Sequence, residues 1–252
     1  MLLELKDLIA LVTGGASGIG AATAYALAAE GCRVIVADIN FAGAQRVTAE
    51  IEKSGHSARA LELDVRDHNA LNMCVADIVT RETRIDILVT AAGIIKSEAL
   101  AQSTMTDWQA LCDTNLTGVL ATCHAVMPVM VQQRAGRIIN IASVAAYRGG
   151  GLVGNALYGM TKAGVIALTK GLARELAPHG ITANVLAPAL TDTPLVRDAL
   201  TPEILARIRA RIPAGRLGAA QDIADLITFL ASARASFITG AVVDIDGGYL
   251  TT

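Results

Sequence analysis

Leu8-Ile9-Ala10-Leu11-Val12-Thr13-Gly14-Gly15-Ala16-Ser17-Gly18-Ile19-Gly20 is the stretch that decides the fold of this chain. An apolar run of strand length feeds into a glycine-rich turn, and the turn opens the helical segment Ala21 to Glu30. Glycine permits a sharp turn and close backbone approach, while a helix N-terminus presents free N–H groups to a pyrophosphate. The glycines fall as G-x-x-x-G-x-G and not as the common G-x-G-x-x-G, so the strand–turn–helix context carries the reading. Gly14, Ser17, Gly18, Ile19 and Gly20 are the residues expected to meet a dinucleotide.

Six more β-branched or aliphatic runs follow: Arg33 to Ala37, Ala58 to Leu63, Ile85 to Val89, Arg137 to Ala142, Thr182 to Ala187 and Ala241 to Ile245. Between them lie segments with apolar residues at helical spacing, as in Ala70, Leu71, Cys74 and Val75. This alternation predicts an α/β fold, a Rossmann-like doubly wound sheet of seven parallel strands with helices on both faces. At 252 residues and 53% hydrophobic content, the chain suits one large core and is short for two, so residues 1–252 are read as a single domain.

Such sheets bind ligands beyond the carboxyl ends of their strands. The second run ends in Asp38, eighteen residues after Gly20, near the offset at which an acid meets an adenosine ribose. A carboxylate there accepts the ribose hydroxyls and repels a 2′-phosphate. Ile39, Asn40 and Ser17 offer no compensating cation, which points to NAD(H) over NADP(H). The competing role for Asp38 is to cap the helix starting near Phe41.

The fifth run ends in Ser143, and Tyr158-Gly159-Met160-Thr161-Lys162 lies fifteen residues on. Positions four apart share a helix face, so Lys162 can stand beside the Tyr158 phenol. A cation about 4 Å away at an effective dielectric of about 20 is worth roughly 4 kcal/mol, enough to bring a phenol toward neutrality. Tyr158 is therefore the expected general acid/base. Tyr147 competes, but Gly151, four residues on, supplies no ammonium.

Two irregular regions sit past strand ends and are expected to be mobile. Arg148 to Gly154 carries four glycines, and a substrate-loop region at about 189–213 contains Pro194, Pro202 and Pro213. Arg148, at the expected pocket mouth, is a candidate for gripping an anionic substrate group.

The formal net charge is −2 and the basic residues are dispersed, which leaves nucleic-acid binding unsupported. The N-terminus has acids where a secretory signal needs cations, and no stretch approaches about twenty uninterrupted apolar residues. A cytoplasmic protein without a membrane role is the expectation. Cys32, Cys74, Cys112 and Cys123 form no C-x-x-C and read as reduced thiols, with no metal site.

With these residues in place the chain resembles the short-chain dehydrogenase/reductase family along its whole length. The motifs carrying the likeness occur in family order: Thr13 to Gly20, Asp64-Val65, Ala91-Ala92-Gly93, Asn115, Ser143, Tyr158 with Lys162, Pro188 to Thr193, and Asp246-Gly247-Gly248. The resemblance implies a catalytic tetrad of Asn115, Ser143, Tyr158 and Lys162. In it Asn115 holds a water linking Lys162 to solvent, Ser143 hydrogen-bonds the substrate oxygen and Lys162 also binds the nicotinamide ribose. It assigns Asp64, Val65, Ala91 and Gly93 to the cofactor cleft, with Pro188, Thr191 and Thr193 at the nicotinamide end, and it implies a homotetramer. Three positions depart from the family pattern: Thr90-Ala91 in place of paired asparagines, Ala189 in place of glycine, and the long Ser143 to Tyr158 spacing.

The reading that results is an NAD(H)-dependent oxidoreductase interconverting a small-molecule secondary alcohol and ketone. The alternative is a reductase of 3-oxoacyl thioesters, which Asp38 disfavours if NADPH is the required donor. A dinucleotide-sensing protein without turnover would not need Asn115, Ser143, Tyr158 and Lys162 together.

Overall fold

The structure, a computed structural model, describes residues 3–150, 153–197 and 200–250. Seven strands form one sheet: β1 (Ile9–Thr13), β2 (Arg33–Asp38), β3 (Ser57–Glu62), β4 (Ile87–Thr90), β5 (Gly136–Ile141), β6 (Ile181–Pro188) and β9 (Val242–Ile245). Two further strands, β7 (Thr191–Asp192) and β8 (Gly218–Ala219), make a separate short ladder that the sequence pattern did not reveal. The sheet order is β3-β2-β1-β4-β5-β6-β9 and every pairing is parallel. The fourth strand starts two residues later than the apolar run suggests. Asp86 turns its carboxylate back to accept the Ile9 N–H at 2.9 Å and to pair with Arg84.

All five residues of β1 are buried because both faces of the sheet are covered. Ile9 and Leu11 join one core cluster, Ala10 and Val12 the other, and β2 alternates in the same way. The first face is covered by α3 (His68–Glu82), α5 (Gly118–Gln133) and α7 (Ala156–Leu176). The second is covered by α1 (Gly18–Ala29), α2 (Phe41–Lys53) and α10 (Ala220–Ala231). The remaining α-helices among the described residues are α4 (Met105–Cys112), α6 (Ala145–Arg148), α8 (Pro194–Arg197) and α9 (Pro202–Arg209).

The continuous helical stretch Met105–Gln133 is long and apolar enough to cross a membrane by length and composition. Here Val119, Cys123, Val126 and Met130 from that stretch lie in the core against the sheet. A third apolar cluster of Val153, Ile208, Ile212 and Leu217, with Leu190 and Tyr249 against it, ties the substrate-loop region to the C-terminal turn.

The chain leaves β1 for β2 on one side, and β4 later pairs on the other. This reversal opens a crevice at the carboxyl end of β1. The glycine turn, Asp38 and the Ala91–Gly93 segment all emerge there.

Candidate active site

The turn after β1 holds a cradle that side chains would fill. Gly14 has φ +70°, and a Cβ on it would lie 2.4 Å from the Ala92 backbone nitrogen. A Cβ on Gly20 would lie 2.1 Å from the Gly14 carbonyl oxygen. Ser17 begins α1 without a capping side-chain bond, and no acid sits in the first turn, so the helix N–H groups face the cleft unneutralised. The buried Thr13 hydroxyl beside them has no partner. Orphan donors and an uncrowded backbone fit a phosphate group.

Beyond the cradle runs a cleft of about 400 Å³ lined by Gly14, Ser17, Gly18, Ile19, Gly20, Asp38, Asp64, Val65, Ala91, Gly93 and Thr193. Asp38 does not cap α2, because Asn40 does so by accepting the Gly43 N–H at 3.0 Å. Asp38 instead accepts Ala16 N–H at 3.0 Å on one oxygen and Asn40 N–H at 2.8 Å on the other. Each oxygen keeps acceptor capacity toward the cleft. Arg66 is the one cation among the described lining residues, and it is held by Asp64 through contacts of 2.6, 2.9 and 3.1 Å. That pairing keeps the Asp64 carboxyl below the usual carboxylate range.

Ser143, Tyr158 and Lys162 line an adjoining cavity of about 170 Å³ together with Gly93, Pro188, Thr191, Thr193 and Arg148. Three elements place them. Ser143 follows β5, and its hydroxyl accepts the Ala145 N–H at 3.1 Å ahead of α6. Tyr158 and Lys162 sit in the first two turns of α7. Gly149, with φ +67°, ends α6. The long Ser143 to Tyr158 spacing is thus used by a helical turn and a reversal; Gly151 lies outside the described residues.

Lys162 is buried, donates to the Ile141 carbonyl at 2.9 Å and lies 5.8 Å from the Tyr158 ring centroid. Burial pushes its ammonium down to about 8. Burial also pushes the Tyr158 phenol up to about 12, with a hydrogen bond to Ser143 pulling the other way. The phenol near neutrality expected from the spacing is therefore not what the structure holds, because the ammonium is turned onto a carbonyl and desolvation prevails. Tyr147 is about half exposed and shifts up to about 12 by burial and its contact with Asp244; it does not line the cavity.

Asn115 is buried, and its amide clamps Ile94 from both sides: Oδ1 accepts the N–H at 2.8 Å and Nδ2 donates to the C=O at 2.9 Å. It lies in the π-helical turn Asp113–Thr117, a local widening that often marks functional positions. A Cβ on Gly93 would lie 3.3 Å from Asn115 Oδ1 and 3.8 Å from Lys162 Nζ, which puts the two side chains on one side of that loop. Thr90 takes over the role of the missing asparagine by donating to Asn140 Oδ1 at 2.7 Å, and Asn140 in turn donates to Thr169 at 2.9 Å. Pro188 O accepts the Val144 N–H at 3.1 Å, and Ala189 donates its N–H to Ile245 O at 3.0 Å. Thr193 packs against Gly18, where the cleft and the cavity meet.

Sequence reasoning missed Asn155, which is buried and caps α7 by accepting the Tyr158 N–H at 3.0 Å. Its amide donates to Glu98 O and Ser103 Oγ, fastening the Tyr158 helix to the opposite loop. An asparagine three residues ahead of Tyr158 was the available signal. Tyr249, which lines the cavity, and Arg211, which lines the groove beside it, were missed too, since nothing local links them to this end of the sheet. In the 189–213 segment, Ile208 and Ile212 join the third apolar cluster and line the cavity; residues 198–199 lie outside the described residues.

The family model described as Enoyl-(Acyl carrier protein) reductase matches residues 14–250. The chain is 42% identical over 246 residues to the 3-oxoacyl-[acyl-carrier-protein] reductase FabG of Escherichia coli (strain K12), covering 98% of each. It is 34% identical to a short-chain type dehydrogenase/reductase from Mycobacterium marinum, with a TM-score of 0.95 over 100% of this chain and 98% of that one. The chain belongs to the short-chain dehydrogenase/reductase family. As a short-chain dehydrogenase/reductase it is an oxidoreductase, and the family's ligand is a nicotinamide dinucleotide. Another similar structure is a putative NAD(P) dependent gluconate 5-dehydrogenase from Beutenbergia cavernae with NADP bound at low occupancy. It is 34% identical, with a TM-score of 0.92 over 100% of both chains.

Proposed function

We propose that the protein reduces the carbonyl of a 3-oxoacyl thioester to the secondary alcohol, using NADH, within one dinucleotide-binding and catalytic domain. What carries the reading is the end-to-end likeness to 3-oxoacyl-[acyl-carrier-protein] reductases. An apolar-walled cavity presenting Ser143, Tyr158 and Lys162 supports it.

The residues at the cavity divide the work. Ser143 and Tyr158 hydroxyls hold the carbonyl oxygen and stabilise the negative charge that develops on it. A phenol at about 12 is protonated throughout the neutral range, so Tyr158 is set to give its proton to that oxygen. Lys162, largely protonated at neutral pH, places a positive charge over the ring as the phenolate forms. Asn115 holds Ile94 and the Gly93 loop in place, and in the family's pattern it also supports a water beside Lys162. The Gly14–Gly20 turn would bind pyrophosphate, Asp38 the adenosine ribose, Asp64 and Val65 the adenine, and Ala91, Gly93, Pro188, Thr191 and Thr193 the nicotinamide end. When bound, the nicotinamide supplies the hydride.

NAD(H) is favoured over NADP(H) because Asp38 faces the cleft and Arg66 is already engaged by Asp64. The NADP reported in the Beutenbergia cavernae protein weighs on the other side. A second reading, a dehydrogenase of a small secondary alcohol, is favoured by that same neighbour and by the modest cavity. We further propose a cytoplasmic homotetramer, in which the exposed Leu120 of α5 and Met160 of α7 would be covered.

Initial rates with acetoacetyl-CoA and with a panel of secondary alcohols, each with NAD(H) and NADP(H), test the proposal. NADH-driven reduction of the thioester is expected to be fastest. Turnover confined to the alcohols rejects the thioester reading.

A further inference from the structure

Tyr249 stands where the catalytic cavity opens, and it lines both that cavity and a second, more open groove of about 450 Å³. Two guanidinium groups lie against its ring, Arg148 at 5.0 Å from the centroid and Arg211 at 5.9 Å. Arg148 and Arg211 are 63 residues apart in the chain, at the end of α6 and in the turn after α9. Among the described residues neither arginine carries an ion pair. Two like charges beside one aromatic ring repel each other, and an anion between them relieves that repulsion.

The arrangement is built from the backbone outward. Asp246 accepts the Gly248 N–H at 2.9 Å and the Leu250 N–H at 2.7 Å, folding the Asp246-Gly247-Gly248 motif into a turn that presents Tyr249. Gly247 and Gly248 have φ of +61° and +84°, conformations that favour glycine. The turn is locked to the Arg211 segment: Ala214 N–H donates to Gly247 O at 3.0 Å, and Gly248 packs on Pro213. On the cavity side, Ile208 and Ile212 flank Arg211 in sequence and face inward with Arg148.

We propose that Arg148 and Arg211, held against Tyr249, form an anion-recognition site for a carboxylate or phosphate group that the substrate carries away from its reacting carbonyl. Arginine grips both groups through paired N–H donors. A site at the junction of cavity and groove selects substrates by what trails behind the carbonyl. A pantetheine arm would bring a phosphate there; a short oxo acid would bring its own carboxylate. The inference rests on the neighbouring cavity being the carbonyl-reducing site, and on nothing narrower.

The test pairs charged with uncharged ligands in Arg148→Gln, Arg211→Gln and the double variant. In steady state, acetoacetyl-CoA is compared with the N-acetylcysteamine thioester of the same acyl group. The double variant is expected to raise KM for the CoA thioester 30- to 100-fold, with an effect on the uncharged thioester at least tenfold smaller, and Arg148→Lys should restore part of the loss. Titration calorimetry then compares 4′-phosphopantetheine with pantetheine, and glutarate with a neutral diol. Loss of phosphopantetheine binding alone in the double variant assigns the phosphate; loss of glutarate binding alone assigns the carboxylate. If neither thioester turns over, the thioester reading fails while calorimetry still judges the anion site. Equal effects on charged and uncharged ligands, or undiminished binding of both anions, overturn the inference.

Discussion

Asp38 should decide which dinucleotide the enzyme uses, and the size of the effect follows from its surroundings. Its two oxygens each accept one backbone N–H and otherwise face the cleft. A 2′-phosphate about 5 Å away would meet that charge at an effective dielectric of about 20, a repulsion of roughly 3 kcal/mol per unit charge before solvent screening. Asp38 is only partly buried, so screening by water and salt reduces this to about 2–3 kcal/mol. Loss of the ribose hydrogen bonds adds about 1 kcal/mol. The preference for NADH in kcat/KM should be on the order of 10² to 10³.

The informative substitution is Asp38→Asn. Alanine would also strip the partners from Ala16 and Asn40 N–H and loosen the glycine turn, so its effect would mix loop stability with charge. The amide oxygen still serves one of those donors while the charge is gone, and the preference should shrink by about 30- to 150-fold. Ile39 is 60% exposed and lines the same cleft, so adding Ile39→Arg to that variant should turn the preference over. The assay is the ratio of kcat/KM values for NADH and NADPH at a fixed carbonyl substrate, at low and high salt. An unmodified enzyme that uses NADPH equally well, or an unchanged ratio in Asp38→Asn, refutes this account of Asp38.

Three further outcomes are open to direct measurement. Tyr158→Phe should lower kcat at least ~10²-fold while dinucleotide binding stays within a few fold, as measured by fluorescence titration; near-normal turnover removes the phenol from the reaction. Asn155→Ala strips the cap from Tyr158 N–H and two further bonds, and should cost about 1–2 kcal/mol in denaturant melts while lowering kcat more than it raises KM; unchanged stability would show the cap to be idle. Lys162 titrates at about 8 in the folded protein against 10.5 in a free side chain, so the unfolded chain binds more protons between those values and stability rises with pH there. Wild type should therefore gain on Lys162→Met as pH climbs from 8 to 10.5, and parallel melting curves would contradict the burial of that charge.

The parts of this molecule that were legible in the sequence are those whose cause is local. β1 and its turn could be read because a strand buried on both faces is apolar throughout, and because a close backbone approach admits only glycine at Gly14 and Gly20. Ser143, Tyr158 and Lys162 could be grouped because one strand end and two turns of one helix hold all three. What stayed hidden depends on neighbours distant in the chain. The sign of the Tyr158 shift follows from burial, a property of the assembled cavity that helix spacing does not contain. The replacement of an asparagine by the Thr90–Asn140–Thr169 chain needs β4, β5 and α7 to be packed before any of its partners can be named.

The Asp246-Gly247-Gly248 turn shows how such a long-range arrangement can still leave a local trace. Its glycines are legible as motif members, but their reason is the contact they allow: a Cβ on Gly247 would lie 2.8 Å from Ile212. That contact is what sets Arg211 beside Tyr249, and Tyr249 beside the one arginine the sequence had singled out. Read alone, Arg148 is a charge on a glycine-rich loop. Placed by the turn against an aromatic ring and a second cation, it becomes half of the anion site proposed above, and that gain comes entirely from packing 212–214 against 246–249.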